Sequence, residues 1–199
     1  KQMGVKFEGK SYAGNMPVFW RGEAKILPGG YKLLQTFPKG TVIPKGTPLH
    51  IVIGTLTAAV SKYAKVVSGG TTTKPRVPKG TLFQINDIVM KEGETTGVTV
   101  SSIDTSNADY DVLTLSSAIS GLVADDVLIE ATATSSSAAK YEPNAVVGED
   151  TEPLSGGDQD TVSAAYDAVV LLGYTVQLPA SWMQGICMKN NPNIIYVKQ

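Results

Sequence analysis

One four-residue phrase constrains this chain more than any other: Pro-Lys-Gly-Thr stands at 38–41, 44–47 and 78–81. Proline presets the φ of a turn and glycine supplies a positive φ or the closing position. Each copy is followed by strand-forming residues, Val42 and Ile43, the run 49–53, and the run 82–85, so each is expected to launch a strand. Offsets of 6 and 34 residues make these repeated turns and not the period of a solenoid. In the run 49–53, Leu49, Ile51 and Ile53 alternate with His50 and Val52, the two-residue period of a half-buried strand. The chain therefore reads as all-β and mainly antiparallel.

Its 199 residues allow one large domain or two small ones, and 42% hydrophobic against 18% charged residues supply a core. The segmentation expected is an N-terminal arm over 1–30, an outer β-rich domain over 31–77 and 133–199, and a small β-barrel-like unit over 78–132. In the inserted unit, runs at 82–90, 98–103, 112–115 and 127–129 are separated by Gly, Asn and Asp turns. Phe83, Ile85, Val98, Val100, Ile103, Val112, Leu113 and Leu115 are its expected core, and so small a unit is expected to lean on its neighbours. The Ser- and Ala-rich run 133–140 reads as the hinge back to the outer domain. The apolar run 162–178 is open to a helix capped by Thr161 or a strand, and its Val and Thr residues around Gly173 favour strand from Asp167. One short C-terminal helix is expected over 181–190, with Ser181 as cap and Trp182 and Ile186 on one face, followed by a strand over 194–197.

Charge divides the chain along its length. Residues 1–86 carry 13 Lys and Arg against two acids, a net +11, and residues 87–199 carry four basics against 16 acids, a net −12. The halves are expected to neutralise one another within one fold or across a subunit contact, because a screening length of about 8 Å leaves distant charges uncoupled. Nucleic acid is disfavoured as a partner, since Tyr63 is the sole aromatic between Lys45 and Arg76 for bases to stack on. A membrane is disfavoured too, because the longest aliphatic run, 168–172, is far shorter than the roughly 20 residues of a spanning helix.

The residues that carry chemistry are few. His50 in a predicted strand has no nucleophile signature near it, and Cys187 between Ile186 and Met188 reads as a small apolar residue. No glycine pattern makes a phosphate loop. Glu149, Asp150, Glu152, Asp158 and Asp160 fall within twelve residues without the EF-hand spacing, and read as a solvated acidic loop with a calcium site as the alternative. The expectation is therefore no catalytic, cofactor-binding or metal residues, with carboxylate chemistry through that loop or through Asp125 and Asp126 as the remaining route to an enzyme.

The run from Met16, Met-Pro-Val-Phe-Trp-Arg-Gly-Glu-Ala-Lys-Ile-Leu-Pro-Gly-Gly-Tyr, leads on to Phe-Pro-Lys-Gly-Thr-Val-Ile-Pro-Lys-Gly-Thr-Pro-Leu-His ending at His50. It is followed by Gly-Gly-Thr-Thr-Thr-Lys-Pro-Arg-Val at 69–77 and by Ile-Asp-Thr at 103–105. This order resembles head fibre and capsid decoration proteins of tailed phages and prophages. Glu-Pro-Asn-Ala-Val-Val at 142–147 and the run 164–178 are similar to β-rich decoration modules, so the resemblance covers most of the chain. It implies a structural, non-enzymatic virion protein, made in the bacterial host cytoplasm. Such a protein binds the major capsid protein on the outside of the shell, self-associates as a homotrimer, and stabilises the shell or displays fibres. The rival expectation is a cell-surface adhesion or carbohydrate-binding β module, whose feature would be two exposed aromatics on one sheet face, here Phe19 and Trp20.

Overall fold

The computed structural model describes residues 18–27, 30–172, 175 and 178–198. Most of the expected 1–30 arm lies outside the described residues. Its described part, apart from Val18, Leu27 and Gly30, is strand β1 (Phe19–Ile26). There follow β2 (Tyr31–Leu33), β3 (Pro48–Val52), β4 (Thr57–Val60), β5 (Tyr63–Lys65), β6 (Arg76–Pro78), β7 (Ile88–Lys91), β8 (Val98–Asp104) and β9 (Tyr110–Leu115). The rest are β10 (Val127–Glu130), β11 (Ala145–Val147), β12 (Thr161–Val162), β13 (Ala164–Leu171), β14 (Met183–Gln184), β15 (Cys187–Met188) and β16 (Asn191–Val197). The protein is all-β and mainly antiparallel, as the turn chemistry implies.

The strands form two sheets. The outer sheet runs β12-β2-β4-β3-β11-β13-β16-β15-β14, and β1 lies on the other edge of β13. Ala165 pairs with both Ile26 and Val146, and Ala168 with both Ala24 and Ile194. A strand has only two edges, so β11 and β16 share one edge of β13 end to end. The second sheet runs β5-β10-β7-β8-β9-β6, and its end strands meet where Val67 N–H donates to the Arg76 carbonyl at 2.9 Å. This barrel-like sheet takes β5 and β6 from upstream of residue 78, beside the four strands expected within 78–132.

Three cores follow from this layout. Tyr31, Leu33, Ile43, Leu49, Val60 and Val147 fill one side of the outer sheet, and Phe83, Val89, Val98, Val100, Leu113 and Leu128 fill the barrel. The third joins the two: Met90 and Ile129 of the barrel pack with Val146, Val170, Trp182 and Ile194 of the outer sheet. Tyr63 meets Trp182 edge-on at 5.6 Å in the same contact. The barrel therefore shares its apolar surface with its neighbour.

Three sequence expectations are corrected. Ile85 is exposed, because it occupies the second position of a turn and not a strand. Only the Pro-Lys-Gly-Thr at 44–47 launches a strand directly; extended coil follows the copies at 38–41 and 78–81, and β7 begins only at Ile88. The helix over 181–190 is absent. A 3-10 turn over Ala180–Trp182 leads into a β14–β15 hairpin, in which Gln184 pairs with Cys187 across Gly185 and Ile186. Gly185 has φ +64, the conformation that the first residue of a two-residue hairpin loop requires and a helix interior forbids. The hairpin buries Trp182 and Met188 and leaves Ile186 exposed, so the supposed common face does not exist.

One turn launches three of the strands, and the same turn at 38–41, clipped by Leu154, launches none. At 44–47, 84–87 and 123–126 the fourth residue's N–H donates to the first residue's carbonyl, at 3.2, 3.1 and 3.3 Å. The third residues, Gly46, Asn86 and Asp125, have φ of +81, +73 and +73, as in type II turns. Each turn is clipped by a neighbouring valine, Val147, Val100 and Val66 respectively. The valine carbonyl accepts the third residue's N–H, and the valine N–H donates to the fourth residue's carbonyl, all at 2.8–2.9 Å. β3, β7 and β10 start on the next residue.

Candidate interaction surface

The charge dipole of the sequence is folded in on itself. Of six ion pairs among the described residues, Lys25–Asp167, Lys62–Asp87, Lys65–Asp125 and Lys79–Asp111 join the basic half to the acidic half. The Lys45 backbone N–H, not its ammonium, donates to Asp150 at 2.7 Å.

Several of the candidate chemical residues hold structural contacts. His50 Nδ1 donates to the Glu142 carbonyl at 2.8 Å, and its ring lies 6.1 Å from that of Tyr141. Cys187 is half-buried in β15. In the acidic loop, Asp160 accepts from Ser155 N–H at 2.9 Å, Ser155 Oγ at 2.8 Å and Gly156 N–H at 3.2 Å. The Ser155 N–H in particular holds its carboxyl below the usual carboxylate range. Asp125 and Asp126 turn to different lysines, Lys65 at 2.7 Å and Lys91 at 2.8 Å. Among the described residues no group of three or more His, Cys, Asp or Glu is placed to hold a metal ion.

Two features remain. The first is a cleft of about 250 Å³ between the outer sheet and the barrel, walled by the turns 44–47 and 78–81, with Ser61, Lys62, Tyr63 and Leu82 around it. Two of its lysines are engaged: Lys79 bonds the carbonyls of Thr105 and Asn107 and pairs with Asp111, and Lys62 bonds Gln84 and Asp87.

The second is the tip of the β3–β4 hairpin. Ile53 is 64% exposed and Leu56 48%, Val52 beside them is exposed, and Leu34 stands exposed just past β2, which pairs with β4. Leu56 has φ +52, a left-handed conformation that costs a non-glycine residue about 1–2 kcal/mol. The strand alternation assigns Ile53 inward with Leu49 and Ile51, but the chain leaves the strand at Ile53 for a 3-10 turn. The legible signal is Gly54-Thr55 between two apolar runs, a hairpin-loop pattern.

The aromatic pair of the adhesion reading is split. Phe19 is buried, and Trp20 is exposed within a bulge where β1 slips against β13. Among the described residues no helix is long and apolar enough to cross a membrane. No protein-family model, curated protein or solved structure matches the chain.

Proposed function

We propose that this chain is a head fibre or capsid decoration protein of a tailed phage or prophage, a non-enzymatic component of the virion exterior. It binds the major capsid protein, associates with itself as a homotrimer, and stabilises the shell or displays fibres. The observation that carries the reading is the apolar hairpin tip at Val52, Ile53 and Leu56, held out on paired strands whose register Leu49↔Val60 to Val52↔Thr57 is continuous. A rigid projection with exposed aliphatic side chains suits docking by burial, which contributes about 25 cal/mol per Å² removed from water. Four of the six ion pairs are spent between the two charged halves of one chain, which favours apolar contact over charge as the source of docking energy.

The test is co-sedimentation of the purified chain with shells of the same phage that lack it, beside sedimentation equilibrium of the free chain. Binding by a trimer that is lost on Ile53→Asp while the variant stays folded supports the reading. A wild-type chain that ignores the shells, or one that stays monomeric at tens of micromolar, overturns it. The rival adhesion reading rests on exposed Trp20 in β1 and exposed Tyr166 in the adjoining β13, and binding to a glycan array abolished by Trp20→Ala would favour it.

A further inference from the structure

The two launching turns of the barrel carry the same lysine–aspartate pair in different surroundings. At 84–87, Asp87 Oδ2 accepts from Gln84 N–H at 2.7 Å and from Lys62 Nζ at 2.7 Å. At 123–126, Asp126 Oδ2 accepts from Val123 N–H at 2.8 Å and pairs with Lys91 Nζ at 2.8 Å. The side chains of Lys91 and Asp126 are 24% and 19% exposed, those of Lys62 and Asp87 1% and 12%. Lys62 Nζ also lies 5.4 Å from the centre of the Phe37 ring and donates to Gln84 Oε1 at 3.1 Å.

Dry surroundings penalise an ion pair, because each charge loses its hydration, and favour its neutral tautomer of amine and carboxylic acid. An amine held against a carboxyl group in fixed geometry reacts as though at very high concentration. We propose that Lys62 and Asp87 are joined by an intramolecular isopeptide bond, formed between Lys62 Nζ and Asp87 Cγ once the chain has folded.

The reaction balances without a co-reactant. The starting pair is an ammonium and a carboxylate. The C–N bond forms, two of the three ammonium protons pass to Oδ1, and the bond from Cγ to Oδ1 breaks with release of water. The third proton stays on the amide nitrogen, directed at Gln84 Oε1. Gln84 N–H, already on Oδ2, polarises the carboxyl group and remains on the amide oxygen. The cleft that Lys62 lines offers the water a way out.

The position gives the bond a structural use. Lys62 stands where the chain first crosses from the outer sheet to the barrel. Glu130, at the return crossing, donates its N–H to the Lys62 carbonyl at 3.0 Å, and its carboxylate bonds Lys140 at 2.7 Å. Desolvation works against the charge of Lys140, yet the hydrogen bond to Glu130 and the charge of Glu130 raise its pKa above the ordinary lysine value. A covalent link at Lys62 would clamp the barrel to the outer sheet where the two chain crossings meet.

Intact-mass spectrometry of the purified, folded chain tests the proposal, together with peptide mapping after proteolysis. The expected result is a mass lower than that of the sequence by one water, and a branched peptide joining the segments that contain Lys62 and Asp87. Lys62→Arg, which keeps the charge but lacks the amine nucleophile, restores the full mass, and no branched peptide joins Lys91 to Asp126. A wild-type chain of full mass that shows a folded β spectrum overturns the proposal, with no variant needed. A branch at Lys91–Asp126 in place of Lys62–Asp87 overturns it too, because burial would then not be the cause.

Discussion

The barrel and the outer sheet launch strands with the same turn and assemble by different mixtures of neighbouring and distant pairing. In the barrel, β7, β8 and β9 pair in the order in which the chain makes them. In the outer sheet, Leu49 of β3 meets Ala145 of β11, Tyr31 of β2 meets Val162 of β12, and Phe19 of β1 meets Val170 of β13. The barrel sits between the two halves of the outer sheet in sequence, so that sheet is completed only after the insert has been traversed. The turns differ in the same sense. Those of the barrel end in Asp87 and Asp126, which cap their own turns and bind a lysine, and the turn of the outer sheet ends in Thr47 after a glycine pressed against Val18. Turn geometry is thus a common local device, and burial decides the worth of each copy.

The largest effect expected from this comparison separates the two aspartates. Asp87→Ala removes the group to which Lys62 is joined, leaves the Lys62 ammonium buried and unpaired, and should cost at least about 3 kcal/mol, whereas Asp126→Ala removes a partly hydrated pair and should cost about 1 kcal/mol or less. Urea unfolding midpoints of the two variants measure the gap, and equal losses would break the comparison.

Next come two glycines of similar φ. A Cβ at Gly46 would lie 2.5 Å from Val18 Cγ1 and 3.2 Å from Thr175 Cγ2, and at Gly80 it would meet nothing within 4 Å. Gly46→Ala should therefore cost about 2–3 kcal/mol through clash and strain together, and Gly80→Ala about 1 kcal/mol through strain alone. Thermal midpoints that fall in the reverse order would show that packing around Val18 yields easily.

At the hairpin tip the sign changes. Leu56→Gly relieves the left-handed strain of an exposed side chain at some cost in unfolded-state entropy, so stability should stay within about 1 kcal/mol of the parent. Shell binding should fall nonetheless, and a variant that binds as well as the parent would remove Leu56 from the docking surface.

The smallest effect is that of pH on the acidic loop. Hydrogen bonds from Ser155 and Gly156 depress the Asp160 carboxyl, so its stabilising contribution is present above the unfolded value of about 4 and fades as pH falls through the lower folded value. Amide resonances of Ser155 and Gly156 followed by NMR should report that titration in the parent and lose it in Asp160→Asn. An Asp160 titrating at or above the ordinary carboxylate value would contradict the loop geometry.

Fold class, the inserted barrel-like unit and most of its core were legible in the sequence, because turn chemistry and two-residue alternation are local properties. Phe83, Val98, Val100, Leu113 and Leu115 are buried as their spacing implies. What failed did so for want of a partner strand. The run 181–190 looks helical until Met183 and Met188 are seen to pair, and Ile53 looks internal until the chain turns away from the sheet. The repeated turn was hidden for the same reason: Pro-Lys-Gly-Thr, Gln-Ile-Asn-Asp and Val-Ala-Asp-Asp have no residue common to all three, and only their backbone clips show them to be equivalent.

The sequence by itself thus determined that this chain is a β protein, since Pro, Gly and β-branched residues fix φ and side-chain period within a few positions. Tertiary structure alone decided which charges meet and which are dry. Lys62 and Lys91 are the same residue type, and no local pattern marks the first as buried and the second as wet. That difference arises where Phe37, Gln84 and Asp87 close over Lys62 from segments 22 to 25 residues away in the chain, because exclusion of water is a property of the assembled surface and not of any one strand.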